Sequence, residues 1–190
     1  SFDGGKRWQQ VAIPRLSICI CSPMYFEFSF DPWISFAPNG DLHLVCGALT
    51  LNPWRAAMLA SKSTDGGLHW STPVALADTI DSRFGPDHPS ITADPTDARF
   101  VYAMWDGSDL GHRGPAIFAR TTDGGRTWEP GRAIVRTDPQ DYVQFSQVFV
   151  LPDGTLVNLY ELVEVKDSGH GIEQSFSLQV VRSTDRGQTW

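Results

Sequence analysis

Residues 121–128 read Thr-Thr-Asp-Gly-Gly-Arg-Thr-Trp, and three other stretches of the chain repeat the same pattern. These are residues 1–8, 63–70 and 183–190, in which serine takes the first place, aspartate the third and tryptophan the last. The copies recur about every 60 residues along the whole chain. Because all four keep their tryptophan in register at a steady spacing, they predict an internal structural repeat.

The repeated pattern has the chemistry of a tight turn between two strands. An aspartate carboxylate can accept hydrogen bonds from backbone N–H groups two or more residues further on, and glycine allows the positive φ that such turns need. The closing tryptophan then begins the next strand and buries its ring beside the hairpin. We therefore predict a structural role for the aspartates and tryptophans of the pattern: Asp3, Asp65, Asp123, Asp185, Trp8, Trp70, Trp128 and Trp190.

Each period also contains four short apolar segments separated by turn residues. A second turn signal contains Pro38, Pro95 and Pro152, which are 57 residues apart each time, and an apolar segment follows each proline. Four antiparallel strands that repeat about every 60 residues are typical of a propeller blade. The sequence thus predicts an all-β fold, a β-propeller of four-stranded antiparallel blades, with residues 1–190 forming a single domain or part of one. The predicted blade periods are 15–76, 77–136 and 137–190, with a closing strand at 8–14.

These segments amount to about three blades, whereas a propeller usually has four to eight. Two explanations stay open at this point. The chain is a fragment of a longer propeller, or two chains form a homodimer that closes a ring of six blades. In the second case the strand at 8–14 of each chain would complete the last blade of its partner and cover an exposed sheet edge.

The composition narrows the possible partners. The 190 residues are 41% hydrophobic and 19% charged, with 22 acidic against 15 basic side chains and a net charge of −7. This acidic balance argues against a nucleic-acid partner, and no apolar run is long enough for a membrane span. Cys19, Cys21 and Cys46 have no Cys-x-x-Cys spacing, so we predict no metal site and no cofactor, while their disulfide state stays open.

The turn pattern resembles the Asp box, or BNR repeat, of the sialidase (neuraminidase) superfamily. Residues 183–190 match every fixed position of Ser-x-Asp-x-Gly-x-Thr-Trp, and residues 121–128 do so with threonine in place of serine. The resemblance implies a sialidase-like propeller, six-bladed in that family, that is secreted and hydrolyses terminal acidic sugars of glycans. The alternatives are a non-catalytic Asp-box propeller that binds glycan or protein, and an inactive fragment of a longer propeller.

The resemblance also implies a kind of active site. Sialidases clamp the substrate carboxylate with three arginines, use a tyrosine assisted by a glutamate as the nucleophile, and use an aspartate as the acid/base. Their first arginine lies in an Arg-Ile-Pro motif near the start of the domain. This chain has Ile13-Pro14-Arg15, which departs from that order.

The candidate site residues come from the loops expected at one face of the propeller. Arg83 and Arg113 are the predicted ligands of an anionic sugar, because a guanidinium forms bidentate hydrogen bonds with a carboxylate. His88 lies in the same loops, and Trp54 offers a ring on which a sugar could stack. The predicted catalytic residues are Tyr142 as nucleophile, Glu161 as its base and Asp87 as acid/base. For Asp87 the alternative is a structural role at the start of an inner strand.

Overall fold

A computed structural model describes residues 1, 3–14, 16, 26–51, 54–80, 85–109 and 112–190, with residues 108, 109, 112 and 113 described by their backbone alone. Within these ranges the chain forms eleven strands and no helix. The described residues therefore contain no helix that could cross a membrane. Cys46 is a buried thiol, whereas Cys19 and Cys21 lie outside the described residues.

The strands form three antiparallel sheets, and in each sheet neighbouring strands follow one another in the chain. The first sheet contains β1 (Phe28–Phe36), β2 (Leu42–Leu51), β3 (Trp54–Ser63) and β4 (Val74–Ile80). The second contains β5 (Asp87–Ala93), β6 (Val101–Asp109), β7 (His112–Thr121) and β8 (Arg132–Val135). The third contains β9 (Tyr142–Val150), β10 (Leu156–Asp167) and β11 (Ile172–Ser183). This arrangement confirms the predicted fold class, with two four-stranded blades and a three-stranded one.

The second sheet is packed between the other two because β6 alternates apolar side chains between its faces. Val101, Ala103 and Trp105 pack in a cluster with the first sheet, while Tyr102 and Met104 pack in a cluster with the third. All five side chains are buried. Since burial of one large apolar side chain contributes about 1.5–3 kcal/mol, the two clusters hold the three sheets face to face.

The first strands of the three sheets lie side by side, with β5 in contact with both β1 and β9. Side-chain hydroxyls connect them: Ser90 Oγ donates to the carbonyl of Ser146 at 2.9 Å, and Thr92 Oγ1 donates to the carbonyl of Val148 at 2.7 Å. On the other side, Ser35 Oγ accepts a backbone N–H of β5 at 3.0 Å. These contacts bring the starts of three inner strands to one region of the molecule.

The four Asp-containing turns share one set of hydrogen bonds. In residues 121–128, Asp123 Oδ1 accepts the hydroxyl of Thr121 at 2.8 Å and the backbone N–H groups of Arg126 and Thr127 at 3.0 and 2.9 Å. These bonds favour the charged carboxylate and lower the pKa of Asp123 to about 2, the backbone N–H of Thr127 being the largest cause. Gly124 and Gly125 take positive φ angles of 71° and 85°, which glycine adopts without strain.

The tryptophans that close these turns differ in their surroundings. Trp70, Trp128 and Trp190 each pack against an apolar cluster of the sheets. Trp8 is 81% exposed, contrary to the predicted burial, because no sheet of the described structure lies beside it. Residues 8–13 form no strand in the described part of the chain, so the closing strand at 8–14 stays a prediction.

The outer face of the third sheet is apolar and exposed. Phe176, Leu178 and Val180 alternate along β11 and are 58, 75 and 59% exposed. In a propeller, such a face is covered by the next blade, in the way that the second sheet covers the first.

The shared turn geometry generates a prediction about stability. Replacement of Asp123 by alanine removes the acceptor of four hydrogen bonds in a turn whose tryptophan, Trp128, packs between sheets. We expect D123A to lower the free energy of unfolding by about 1–3 kcal/mol in urea denaturation. The matched control is D3A, which breaks equivalent bonds in a turn whose tryptophan is exposed and which should unfold like the unchanged protein. Equal losses in both variants would contradict this account.

A buried histidine generates a second prediction. His43 on β2 is 1% exposed, and burial, with a smaller contribution from Lys62, lowers its pKa from 6.5 to about 4. Because the folded protein keeps His43 neutral, its contribution to stability is complete above about pH 6.5 and is lost as the pH falls towards 4. Over that interval we expect a loss of about 3 kcal/mol, which H43Q should largely remove.

The measurement is chemical denaturation at a series of pH values between 7 and 4. The matched control is H170Q, a histidine replacement at an exposed position outside the core. If H43Q and the unchanged protein lose stability with the same pH slope, His43 is not the group responsible.

Candidate functional site

A cavity of about 520 Å³ lies where the inner strands begin, at the ends of the sheets away from the Asp-containing turns. All three sheets contribute to its lining. The polar and aromatic side chains in its wall include Trp54, Asp87, His88, Asp106, Tyr142 and Gln144. A cavity of this volume is large enough for a small ligand such as one or two sugar units.

Asp106, near the end of β6, organises one wall of the cavity. Its side chain is buried, and Oδ2 lies 2.7 Å from Nδ1 of His88 and accepts the backbone N–H of Phe145 at 2.9 Å. The other oxygen, Oδ1, lies 3.5 Å from the backbone nitrogen of Ser146. A single carboxylate on the second sheet therefore fixes a histidine of its own sheet and the inner strand of the third.

The His88–Asp106 contact affects the pKa of both groups. The hydrogen bond with Asp106 is the largest cause that raises the pKa of His88, with further contributions from Asp87 and Asp31. Burial raises the pKa of Asp106, against the opposing effect of its hydrogen bond with His88. The ring of His88 also packs on the ring of Phe145, with centroids 4.3 Å apart. His88 is thus held in a defined orientation at the cavity wall.

Three inner strands depart from regular geometry at equivalent places. Asp31, His88 and Phe145 have positive φ angles of 47°, 44° and 59°, and they are 57 residues apart, as are the three prolines of the repeat. Each lies where the pairing of the inner strand with its neighbour shifts register. Such backbone is unfavourable for most residues other than glycine, and it recurs at strand bulges and at functional sites.

Two of these positions help to form a cluster of charged side chains. His88 Nε2 lies 3.9 Å from Asp87 Oδ2. One ligand atom from each of Asp31, Asp87 and His88 falls within 4.8 Å of the others. The described wall of the cavity is therefore predominantly acidic. Arg55, next to Trp54, does not offset this charge, because it forms a two-pronged ion pair with Asp78 at 2.9 and 2.6 Å.

The structure brings two of the predicted catalytic residues, Tyr142 and Asp87, into the cavity wall. Glu161 does not line the cavity itself. Its Oε2 accepts a hydrogen bond at 2.5 Å from Nε2 of Gln144, which does line the cavity. In the β9–β10 pairing Gln144 is opposite Glu161 and Tyr142 is opposite Val163, so Tyr142 and Glu161 are diagonal neighbours on one face of the sheet. Their catalytic roles stay predictions.

The predicted substrate ligands fall into two groups. His88 and Trp54 line the cavity, and the indole Nε1 of Trp54 is buried with no hydrogen-bond partner in the described structure. Arg83 lies outside the described residues, and Arg113 is described by its backbone alone. Both are close in sequence to cavity-lining glycines: Gly85 comes two residues after Arg83, and Gly114 directly follows Arg113.

Sequence reasoning did not single out two residues of the site, Asp106 and Gln144. Asp106 was indistinguishable from the other acidic residues of its loop, because its importance comes from burial and from contacts with strands that are distant in sequence. The positive-φ positions could have been found by extending the 57-residue spacing of the prolines to the starts of the inner strands.

No family model and no curated protein matches this chain. Solved structures do match it. An α-L-arabinofuranosidase of Fusarium graminearum in complex with arabinobiose is 16% identical, with a TM-score of 0.67, over 100% of this chain and 54% of its own. An α-L-arabinanase of Penicillium chrysogenum is 20% identical, with a TM-score of 0.61, over 82% of this chain and 46% of its own.

A sialidase of Streptococcus pneumoniae is also similar, with 13% identity and a TM-score of 0.52, over 84% of this chain and 23% of its own. The chain thus spans about half the length of the arabinofuranosidase and of the arabinanase, and less of the sialidase. At these identities the similarity shows the fold: the chain has the β-propeller architecture found in these glycoside hydrolases.

Proposed function

We propose that this chain belongs to a propeller glycoside hydrolase and that the cavity at the start of the inner strands binds the terminal sugar of a glycan. The observation that carries the proposal is the convergence of Trp54, Asp87, His88 and Tyr142 from three sheets on one cavity of about 520 Å³. An aromatic ring, a hydroxyl and carboxylates are the groups that proteins use to stack on sugars and to cleave glycosidic bonds. Like the sialidases that the turns resemble, the enzyme would act outside the cytoplasm.

The proposed chemistry follows the sialidase pattern. The hydroxyl of Tyr142 attacks the anomeric carbon and gives its proton to Glu161, while Asp87 protonates the departing glycosidic oxygen. Asp87 then takes a proton from a water molecule, which attacks the anomeric carbon, while Glu161 returns its proton to the departing oxygen of Tyr142. Two displacements of this kind retain the anomeric configuration. The diagonal placement of Tyr142 and Glu161 on one face of the third sheet supports this assignment.

The proposed substrate is an acidic sugar such as a sialic acid, with Arg83 and Arg113 as ligands of its carboxylate. Support comes from the chain positions of the two arginines, which flank glycines of the cavity wall. A neutral sugar is the second candidate, because the described charged groups at the cavity, Asp31, Asp87, Asp106 and His88, are mostly acidic. The Fusarium graminearum relative, which is bound to arabinobiose, belongs to that second type.

Sugar binding is tested first by tryptophan fluorescence. We expect the emission of the full chain to change saturably on titration with the correct sugar, and we expect W54F to lose the change because Trp54 lines the cavity. Sialic acid and L-arabinose are the two sugars to compare. W8F is the matched control, since Trp8 is exposed and does not line the cavity.

The outcomes separate the candidates. Saturation by sialic acid that is lost in R83Q and R113Q supports the acidic sugar, whereas saturation by arabinose that survives in both variants supports the neutral one. If neither sugar binds, or if W8F loses the signal as W54F does, the cavity is not the sugar site.

Catalysis is tested with a fluorogenic sialoside and an α-L-arabinofuranoside. Loss of a general base typically costs about 10²–10⁴-fold in rate, so we expect E161Q to lower kcat by that factor with little change in KM. The matched control is E164Q on the same strand, because Glu164 interacts with Ser175, away from Tyr142. Equal rates for E161Q and E164Q would remove Glu161 from the mechanism.

A further inference from the structure

Asp31, Asp87 and His88 form a mixed group of metal-ligand atoms at the cavity. Asp31 comes from the inner strand of the first sheet, and the other two come from the inner strand of the second. One oxygen of each carboxylate and one ring nitrogen of His88 all lie within 4.8 Å of one another, and His88 Nε2 is 3.9 Å from Asp87 Oδ2. Two neighbouring sheets therefore contribute three candidate ligand atoms to one small region.

The orientation of His88 is a separate observation that points to a metal ligand. Its Nδ1 is held by Asp106 at 2.7 Å, a carboxylate that is 7% exposed and belongs to a different strand. Its ring also packs on Phe145. With Nδ1 engaged, Nε2 is the nitrogen available to the two other carboxylates. Histidines that bind metals characteristically use their second nitrogen to contact a carboxylate in this way, which fixes the tautomer and the direction of the ligand atom.

The local charge also favours a cation. Three carboxylates, those of Asp31, Asp87 and Asp106, surround a single imidazole. Among the residues that the structure describes, no lysine or arginine forms an ion pair with any of the three. With His88 neutral, as a metal ligand must be, the three carboxylates carry a net charge of about −3, which a divalent ion would reduce to about −1.

We propose that Asp31, Asp87 and His88 bind a divalent first-row transition metal ion of the zinc or manganese type, and that Asp106 orients the histidine. An imidazole ligand suits such ions, whereas calcium and magnesium prefer sites made of oxygen alone. Three protein ligands leave at least one coordination position for water or a sugar hydroxyl. Zinc bonds of about 2.0–2.2 Å require the ligand atoms to approach closer than 3.9 Å, so metal binding requires the exposed side chains of Asp31 and Asp87 to move towards Nε2 of His88.

The test is isothermal titration calorimetry of the full chain, freed of metal with EDTA, against zinc, manganese and calcium chloride. We expect one zinc or manganese ion per chain, and at least a tenfold weaker Kd in D31N, D87N and H88Q. The matched control is H69Q. His69 Nδ1 lies 2.6 Å from Asp65 Oδ2, so this pair is a histidine–aspartate contact of similar length in a turn far from the cavity. Its loss should leave the Kd unchanged.

Several results would overturn the proposal: the absence of saturable binding by zinc and manganese, equal weakening in H69Q and H88Q, or tight calcium binding that H88Q does not affect. Circular dichroism of each variant checks that it is folded. If H88Q unfolds, the Kd values of D31N and D87N test the proposal instead. The side chains of Asp31 and Asp87 are exposed, so their replacement leaves the core intact. Metal binding by Asp87 would exclude its proposed role as the acid/base, so the two proposals compete for this carboxylate. Because the titration contains no sugar, it tests metal binding alone.

Discussion

The burial of both faces of β6 is the constraint on which the arrangement of this molecule depends. A strand that is apolar on alternate faces needs a partner layer on each side, and the first and third sheets provide these layers. The sheets are stacked with the first strand of each beside the first strand of the next. The convergence of β1, β5 and β9, and with it the cavity, follows from that packing.

The polar site is built where this regular packing ends. The stacked part of β6 ends at Trp105, and the next residue, Asp106, is a buried carboxylate that would be costly without hydrogen-bond partners. Its partners come from the irregular starts of the inner strands, where the bulged backbone leaves the N–H of Phe145 to donate to Asp106 and places the ring nitrogen Nδ1 of His88 beside it. The burial of Asp106 and the unusual φ angles of His88 and Phe145 are therefore two aspects of one local structure.

The repeat in the sequence was sufficient to predict the fold because the turn pattern encodes local interactions. Asp123 and its neighbours bond within eight consecutive residues, so their spacing alone indicates the hairpin. The site could be predicted only in part. Tyr142, Asp87, His88 and Trp54 were selected from loops expected at one face, and all four line the cavity. No sequence pattern predicts the hydrogen bond between Asp106 and Phe145, which are 39 residues apart, because this contact depends on how the third sheet packs on the second.

The charges at the cavity connect the two proposals. Asp31, Asp87 and Asp106 alone would repel an anionic sugar, and this repulsion is what favours a neutral substrate. A divalent ion held by Asp31, Asp87 and His88 requires the ligand nitrogen of His88 to be unprotonated, so it would reduce the net charge of the three carboxylates from about −3 to about −1. Arg83 and Arg113 would then attract a carboxylate against a weaker opposing charge. The sugar preference of the cavity therefore depends on the occupancy of the cluster as well as on the two arginines, and sugar titrations with and without added metal would separate the two contributions.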